Sequence, residues 1–329
     1  MRFERDVDWN PEDDPLPRTV FLKDTTQTII AYNDSPDIGF EASINPYRGC
    51  EHGCIYCYAR PFHEYLGFSS GLDFETKIMV KENAPELLRK ELAAKKWKPQ
   101  VISMSGVTDC YQPVERKLKL TRRCLEVLAE FRNPVGIVTK NLLVTRDIDV
   151  LSELARHNAV AVFISLTTLD SELRSILEPR TSPPVARLRT IKQLADAGIP
   201  VGVMLAPMIP GLTDSEIPLL LKAASEAGAR FAGYVALRLP FSVAPQFEQW
   251  LEKHYPDRKE KVLNQIRSLR GGKLYQADWG KRMSGDGIIA DQMGKLFDVA
   301  RRKYGLTGRP ELSTEAFRRP PGAQMEFPI

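Results

Sequence analysis

Between residues 45 and 60 the chain runs NPYRGCEHGCIYCYAR, with Cys50, Cys54 and Cys57 inside eight positions. Three thiolates this close together form a metal-holding pattern. The chain has five cysteines, and the other two, Cys110 and Cys124, stand apart. An odd, clustered set points to metal and a reducing compartment, because a disulfide framework spreads its cysteines in pairs. A closed zinc site takes four ligands, and His52 or His63 could complete a Cys3His set. An iron–sulfur cluster is also held by thiolates, normally four. Three thiolates on a four-iron cubane would leave one iron open, as catalytic zinc sites keep a free position.

The elements that must position this loop follow from the hydrophobic rhythm. From Ala42 onward, short apolar runs alternate with amphipathic segments: VISMSG (101–106), VGIVTK (135–140), AVAVFISL (159–166), VGVMLAP (201–207) and YVALRLP (234–240). In ARLRTIKQLADAG, Leu188, Ile191, Leu194 and Ala195 recur at helical spacing and Gly198 stops the helix. The nearly unbroken apolar run after it suits a parallel strand buried on both faces. The alternation predicts an α/β fold, a partial (β/α)6 TIM-like barrel over 42–240. Residues 1–41, with Pro11, Pro15, Pro17 and Pro36, read as an extended N-terminal arm. Residues 241–329 read as a mainly helical C-terminal extension that caps one end of the barrel.

Bulk properties set limits. With 329 residues and 43% hydrophobic content the chain can bury a full core, and a net charge of +4 permits a nucleic-acid partner without demanding one. No secretory signal and no apolar run of membrane-spanning length are visible, so no membrane partner and a cytoplasmic location are expected.

Cys50-x3-Cys54-x2-Cys57, with Tyr56 before the last cysteine, resembles the signature of the radical S-adenosylmethionine (SAM) superfamily. The wider pattern of NPYRGC, HGC, YCYA, SGVTDCYQPVER, VTKN, LEPR and APMIPGL resembles the relatives of spore photoproduct lyase often labelled DNA repair photolyases. The likeness runs from about Ala42 to Pro240. It implies that Cys50, Cys54 and Cys57 hold a [4Fe–4S] cluster whose open iron chelates SAM. It also implies an external flavodoxin- or ferredoxin-like electron donor.

The resemblance places the other residues along the carboxyl ends of the strands, where barrel sites lie. Tyr56 falls on the adenine side. Thr108 and Asp109 match a Ser/Thr-Asp pair that meets the methionine ammonium; by their position alone they could cap the following helix. Lys140 would hold the SAM carboxylate, and Ser165, with Thr167 as competitor, would contact ribose or carboxylate. APMIPGL would lie beside adenine. Arg180 and Arg238 are candidate substrate ligands, since a guanidinium fork suits a carboxylate or phosphate. In the lyase, a cysteine just before the Ser/Thr-Asp pair returns hydrogen to the product radical; here that position is Gly106. Cys110 and Tyr111 are the nearest candidates for a radical relay, although Cys110 also fits a small buried hydrophobe.

Cys124 reads as core, as do Trp97, Trp250 and Trp279. The basic tail, RRKYGLTGRP and FRRP with Tyr304 and Phe317, has a composition that can bind single strands. Three functions stay open: a lyase or repair enzyme on nucleic acid, a radical enzyme on a peptide or small metabolite, and a non-enzymatic zinc- or iron–sulfur-binding protein. Substrate, oligomeric state and the fate of SAM are not legible.

Overall fold

The computed structural model describes residues 18–308 and 310–321. Its strands are β1 (Val20–Lys23), β2 (Ile30–Tyr32), β3 (Ala42–Ile44), β4 (Tyr47–Arg48), β5 (Lys77–Val80), β6 (Ile102–Met104), β7 (Val135–Thr139), β8 (Val160–Ser165), β9 (Val201–Met208) and β10 (Phe231–Ala236). Its helices are α1 (Leu72–Thr76), α2 (Ala84–Ala93), α3 (Glu115–Leu118), α4 (Leu120–Phe131), α5 (Ile148–Ala155), α6 (Ser171–Leu177), α7 (Pro184–Asp196), α8 (Ile217–Glu226), α9 (Val243–His254), α10 (Pro256–Leu269) and α11 (Ile288–Lys303).

The main sheet has seven strands in the order β10-β9-β8-β7-β6-β3-β2. All its pairs from β3 to β10 are parallel, and only β2 runs antiparallel to its neighbour. The six parallel strands are the expected partial barrel. Their sequences show why: Val160, Ala161, Val162, Ile164 and Ser165 of β8 are all buried, as both faces of a helix-covered strand must be. On α7, Ile191 and Leu194 are buried at helical spacing and Gly198 adopts φ +74° just beyond the helix end. Each such buried leucine or isoleucine contributes about 1.5–3 kcal/mol.

The described part of the arm is tied into the sheets. β1 lies parallel to β5 in a three-stranded sheet with β4, and β2 edges the main sheet. Pro11, Pro15 and Pro17 lie outside the described residues. At the other end, α9 and α10 share a core with α6, with Cys54 and Tyr56, and with Ile209 and Leu237 beyond β9 and β10. Gln246 of α9 donates to Ser70 Oγ at 3.0 Å, and Trp250 to the Ile176 carbonyl at 3.0 Å.

The basic tail packs back on the fold. Phe317 packs on Phe131 at 6.3 Å between ring centroids, Arg318 donates to the Glu130 carbonyl at 3.0 Å, and Arg319 donates to the Trp97 carbonyl at 3.0 Å. These side chains strap the tail to α2 and α4, away from the carboxyl ends of the strands. Tyr304 is likewise packed against the core; Arg309 lies outside the described residues. Trp97 and Trp250 are buried as expected, but Trp279, in the glycine-rich loop before α11, is 61% exposed. Cys124 is buried in the main core.

Candidate active site

The cysteine loop follows β4 as a chain of turns. Each cysteine carbonyl accepts from the residue three positions on: Cys50 from Gly53 at 3.4 Å, Cys54 from Cys57 at 3.2 Å and Cys57 from Arg60 at 3.2 Å. Arg60 is fully buried and holds the loop from beneath, donating to the carbonyls of Cys54 (3.0 Å), Gly53 (3.2 Å), Ser70 (3.0 Å) and Gly71 (3.1 Å). Its charge is met by Glu75 at 2.5 Å, and the second oxygen of Glu75 takes Arg180. Gly53 sits at the crossing: with φ +68° and a hypothetical Cβ only 2.1 Å from Arg180 Nη2, no other residue fits unstrained.

All five cysteines are free. Burial pushes Cys50 up well above the ordinary thiol value, and Asp109 and the other two cysteines add to it. Burial likewise raises Cys54, to about 12, with Glu178 adding, and raises Cys57 against the pull of Arg60. Thiols so raised are protonated at neutral pH, and loading a metal releases their protons. The side chains weighed as a fourth ligand are engaged elsewhere. His63 Nε2 lies 3.0 Å from the Lys77 carbonyl. His52 lies 3.4 Å from Asp109 through Nδ1 and 3.2 Å from the Asn141 amide through Nε2. Among the described residues no group of three or more His, Cys, Asp or Glu is arranged to hold a metal ion. Three thiols on one loop, with no fourth ligand among the described residues, suit an iron–sulfur cluster better than a closed four-ligand zinc site.

Asp109 is placed differently from the expected contact with an ammonium. Oδ1 accepts from Thr139 Oγ1 (2.8 Å) and the Tyr111 N–H (2.9 Å), and Oδ2 from the Lys140 N–H (2.8 Å) with His52 at 3.4 Å. Burial raises its pKa, but His52 and these donors outweigh burial and leave it below the usual carboxylate range. With both oxygens committed, Asp109 ties the cysteine loop to the end of β7. Thr108 donates to the Tyr47 carbonyl at 3.0 Å. Neither residue caps a helix: α3 and α4 begin after it, without side-chain caps.

Lys140, Ser165 and Tyr56 do come together. Lys140 Nζ donates to Ser165 Oγ at 2.7 Å and the Ala206 carbonyl at 2.9 Å, and stands 5.8 Å over the Tyr56 ring. The centre of this group is a residue not picked out from sequence, Glu178 of LEPR. It is fully buried and receives Lys140 at 3.3 Å, Thr167 at 2.7 Å, the Tyr56 hydroxyl and Arg187. Burial raises its carboxyl, but Arg187 and Lys140 pull it well below the ordinary range. Thr167, the competitor of Ser165, thus joins the same network.

Arg180, a candidate substrate ligand, is committed to the cysteine loop. Its fork goes to Glu75 and the Glu51 carbonyl. Cys110 and Tyr111 are buried in the main core, with the Tyr111 hydroxyl on Asp147 at 3.1 Å. Their immediate surroundings are packing groups and a carboxylate rather than the cysteine loop.

With this geometry stand the comparisons. The model of the Radical SAM superfamily matches residues 44–224, over half of the chain. The chain belongs to the Radical SAM superfamily. An uncharacterized Mycobacterium tuberculosis protein is 38% identical over 220 residues, covering 66% of this chain and 65% of that protein. An uncharacterized Methanocaldococcus jannaschii protein is 30% identical over 226 residues, 69% of this chain and 81% of that one. The chain thus spans just under two thirds of the length of the mycobacterial relative. Among solved structures, spore photoproduct lyase complexed with dinucleoside spore photoproduct aligns with TM-score 0.60 at 16% identity, over 86% of this chain and 79% of that one. A double mutant of that lyase with bound AdoMet and the same photoproduct aligns equally, over 87% and 79%. At that identity the likeness is one of fold.

Sequence reasoning missed several further residues of the candidate site. Arg60 and Glu75 clamp the loop, and nothing in their spacing announces it. Tyr58, directly after Cys57, donates to the Gly106 carbonyl at 2.6 Å and so bridges the cysteine loop to the turn after β6. Ser105 in that turn holds φ +79°, an uncommon conformation for a non-glycine residue, and accepts the Cys110 N–H at 3.0 Å.

Proposed function

We propose that this chain is a radical SAM enzyme in which Cys50, Cys54 and Cys57 hold a [4Fe–4S] cluster and Lys140, Ser165 and Tyr56 orient SAM. The observation that carries the reading is the three-thiol loop, with Cys50 and Cys54 buried, Cys57 half-buried and no fourth ligand among the described residues, at the carboxyl ends of a six-stranded parallel barrel. The cofactors, when bound, supply a 5′-deoxyadenosyl radical that takes hydrogen from the substrate. The chain's own part is positional. Arg60, Glu75 and Arg180 hold the loop. Asp109 fixes it to β7. Glu178 sets Lys140 among three hydroxyl and carbonyl acceptors. An external flavodoxin- or ferredoxin-like protein would deliver the electron, and the clustered free cysteines favour the cytoplasm.

For the substrate, a lesion in nucleic acid is the first reading, supported by the fold shared with spore photoproduct lyase. By the resemblance, Gly106 takes the place of the lyase's hydrogen-returning cysteine, and a different donor would be needed. A peptide or small metabolite is the second reading, favoured by α9 and α10 packing over the cysteine loop. The division into an arm to residue 41, a barrel to 240 and a cap beyond belongs to this proposal. The test is anaerobic reconstitution with iron and sulfide, reduction and addition of SAM. The expected result is an EPR signal that shifts with SAM and 5′-deoxyadenosine, both lost in Cys54→Ala. A colourless protein holding one zinc would overturn it.

A further inference from the structure

Most charges around the site have an ion-pair partner among the described residues, and two arginines have none. Arg60 and Arg180 share Glu75, while Lys140 and Arg187 share Glu178. Arg238, two residues past β10, makes no ion pair among the described residues. Its Nε is buried without a partner, and Nη1 reaches only the Met283 sulfur at 3.5 Å. The guanidinium stands 5.2 Å over the ring of Tyr58, the residue that follows Cys57. A carboxylate within its field, Asp37, is already bound to Arg282 and the Gly280 N–H, each at 2.6 Å. Behind Arg238 lies a second guanidinium, Arg270, almost fully buried. It too makes no ion pair among the described residues; it donates to the carbonyls of Ala236, Leu237, Lys281 and Arg282 at 2.7–3.2 Å. Burial lowers its pKa to about 10, and the nearby charge of Arg238 adds to the shift.

Two buried or half-buried guanidinium charges without a carboxylate are costly unless an anion completes the site. The surroundings are aromatic. Phe241, three residues after Arg238, is 75% exposed and held at φ +47°, an outlier for a bulky side chain, with Tyr275 at 6.0 Å.

We infer that Arg238 is the anion-recognition residue of the substrate mouth, and that the substrate presents a phosphate group to its fork with an apolar or aromatic body against Tyr58. The fork matches two phosphate oxygens, and the charge of Arg270 behind it adds to the positive field a phosphate would meet. The inference rests on the reading of this mouth as the substrate site of a radical enzyme. The phosphate could belong to a nucleic-acid backbone or to a small phosphate ester, and the test separates them.

The test uses the full cluster-loaded protein. Binding of a fluorescein-labelled single-stranded oligothymidylate is followed by anisotropy at several salt concentrations, and binding of thymidine 5′-monophosphate and of thymidine by calorimetry. Arg238→Gln and Arg238→Lys are compared with wild type, with melting temperatures recorded for each. The expected result is that Arg238→Gln weakens a phosphate probe roughly tenfold or more, that Arg238→Lys is intermediate, and that thymidine is unaffected. For the oligonucleotide the salt slope should fall by about one. Preference for the strand identifies a nucleic-acid source; preference for the monophosphate identifies a small ester. Inorganic phosphate should compete on wild type, which keeps the test valid where a variant folds poorly. Equal phosphate affinity in wild type and Arg238→Gln, or no phosphate binding by wild type, overturns the inference. The radical-enzyme reading is checked in the same preparation by 5′-deoxyadenosine formation in wild type, so its failure is seen separately.

Discussion

Glu178→Gln removes the negative charge at the centre of the mouth while keeping the shape of the side chain. The carboxylate is fully buried, with Arg187, Lys140, Tyr56 and Thr167 converging on it. Unit charges at the Lys140–Glu178 separation of 3.3 Å interact by about 5 kcal/mol at an effective dielectric of about 20. Desolvation offsets much of this in the intact pair. Neutralising one partner leaves the others buried and unpaired, which costs about 3–5 kcal/mol. The pH dependence follows from the depressed carboxyl, which Arg187 and Lys140 hold down against burial. Such a group contributes stability that is present above the unfolded pKa of about 4.3 and is lost as pH falls towards the folded value. Urea unfolding of wild type and variant should therefore differ by about 3–5 kcal/mol at neutral pH, and the gap should narrow once pH drops below about 4.3. A gap under about 1 kcal/mol, the size of an exposed pair, or one that does not change on acidification, would refute the reasoning.

Gly53→Ala forces a Cβ to within 2.1 Å of Arg180 Nη2 and 2.6 Å of Glu75 Oε2, on top of a left-handed backbone cost of about 1–2 kcal/mol; melting temperature and iron per chain after reconstitution should both fall, and wild-type iron content would count against the clamp. Asp109→Asn leaves its buried donors underpartnered and should cost about 1–3 kcal/mol in urea unfolding, whereas a neutral result would mean that the tie between loop and β7 is dispensable. Phe317→Ala should release the tail strap, seen as faster proteolysis within residues 310–321, with the barrel core unchanged.

Much of the barrel is legible because it is written in local patterns. AVAVFIS reads as a strand since every residue must tolerate burial, and ARLRTIKQLADAG as a helix by its spacing. The thiols are legible because their chemistry depends on short spacing. What is hidden is set by long-range partners. Arg180 looks like a ligand in LEPR, yet it is spent on Glu75, 105 positions away. Tyr56 meets Glu178 across 122 positions. Asp109 carries no mark that His52 and the end of β7 will occupy both its oxygens. Trp279 departs from the expectation that tryptophan packs, since it lies on a glycine-rich loop and is exposed. The strand role of the arm was equally invisible, since VFLK and IAY are too short to stand out from loops.

The two buried ion systems explain how one mouth can be both rigid and selective. Glu75 with Arg60 and Arg180 lies on the loop side and fixes where the thiols sit. Glu178 with Lys140 and Arg187 lies on the barrel side and fixes the ends of β7, β8 and β9. Each system sets one buried carboxylate against two cations, so each keeps a net positive charge. On the proposed reading, a SAM carboxylate at Lys140 would share that ammonium with Glu178. Arg238, by contrast, has no ion-pair partner among the described residues and stands 5.2 Å over the Tyr58 ring.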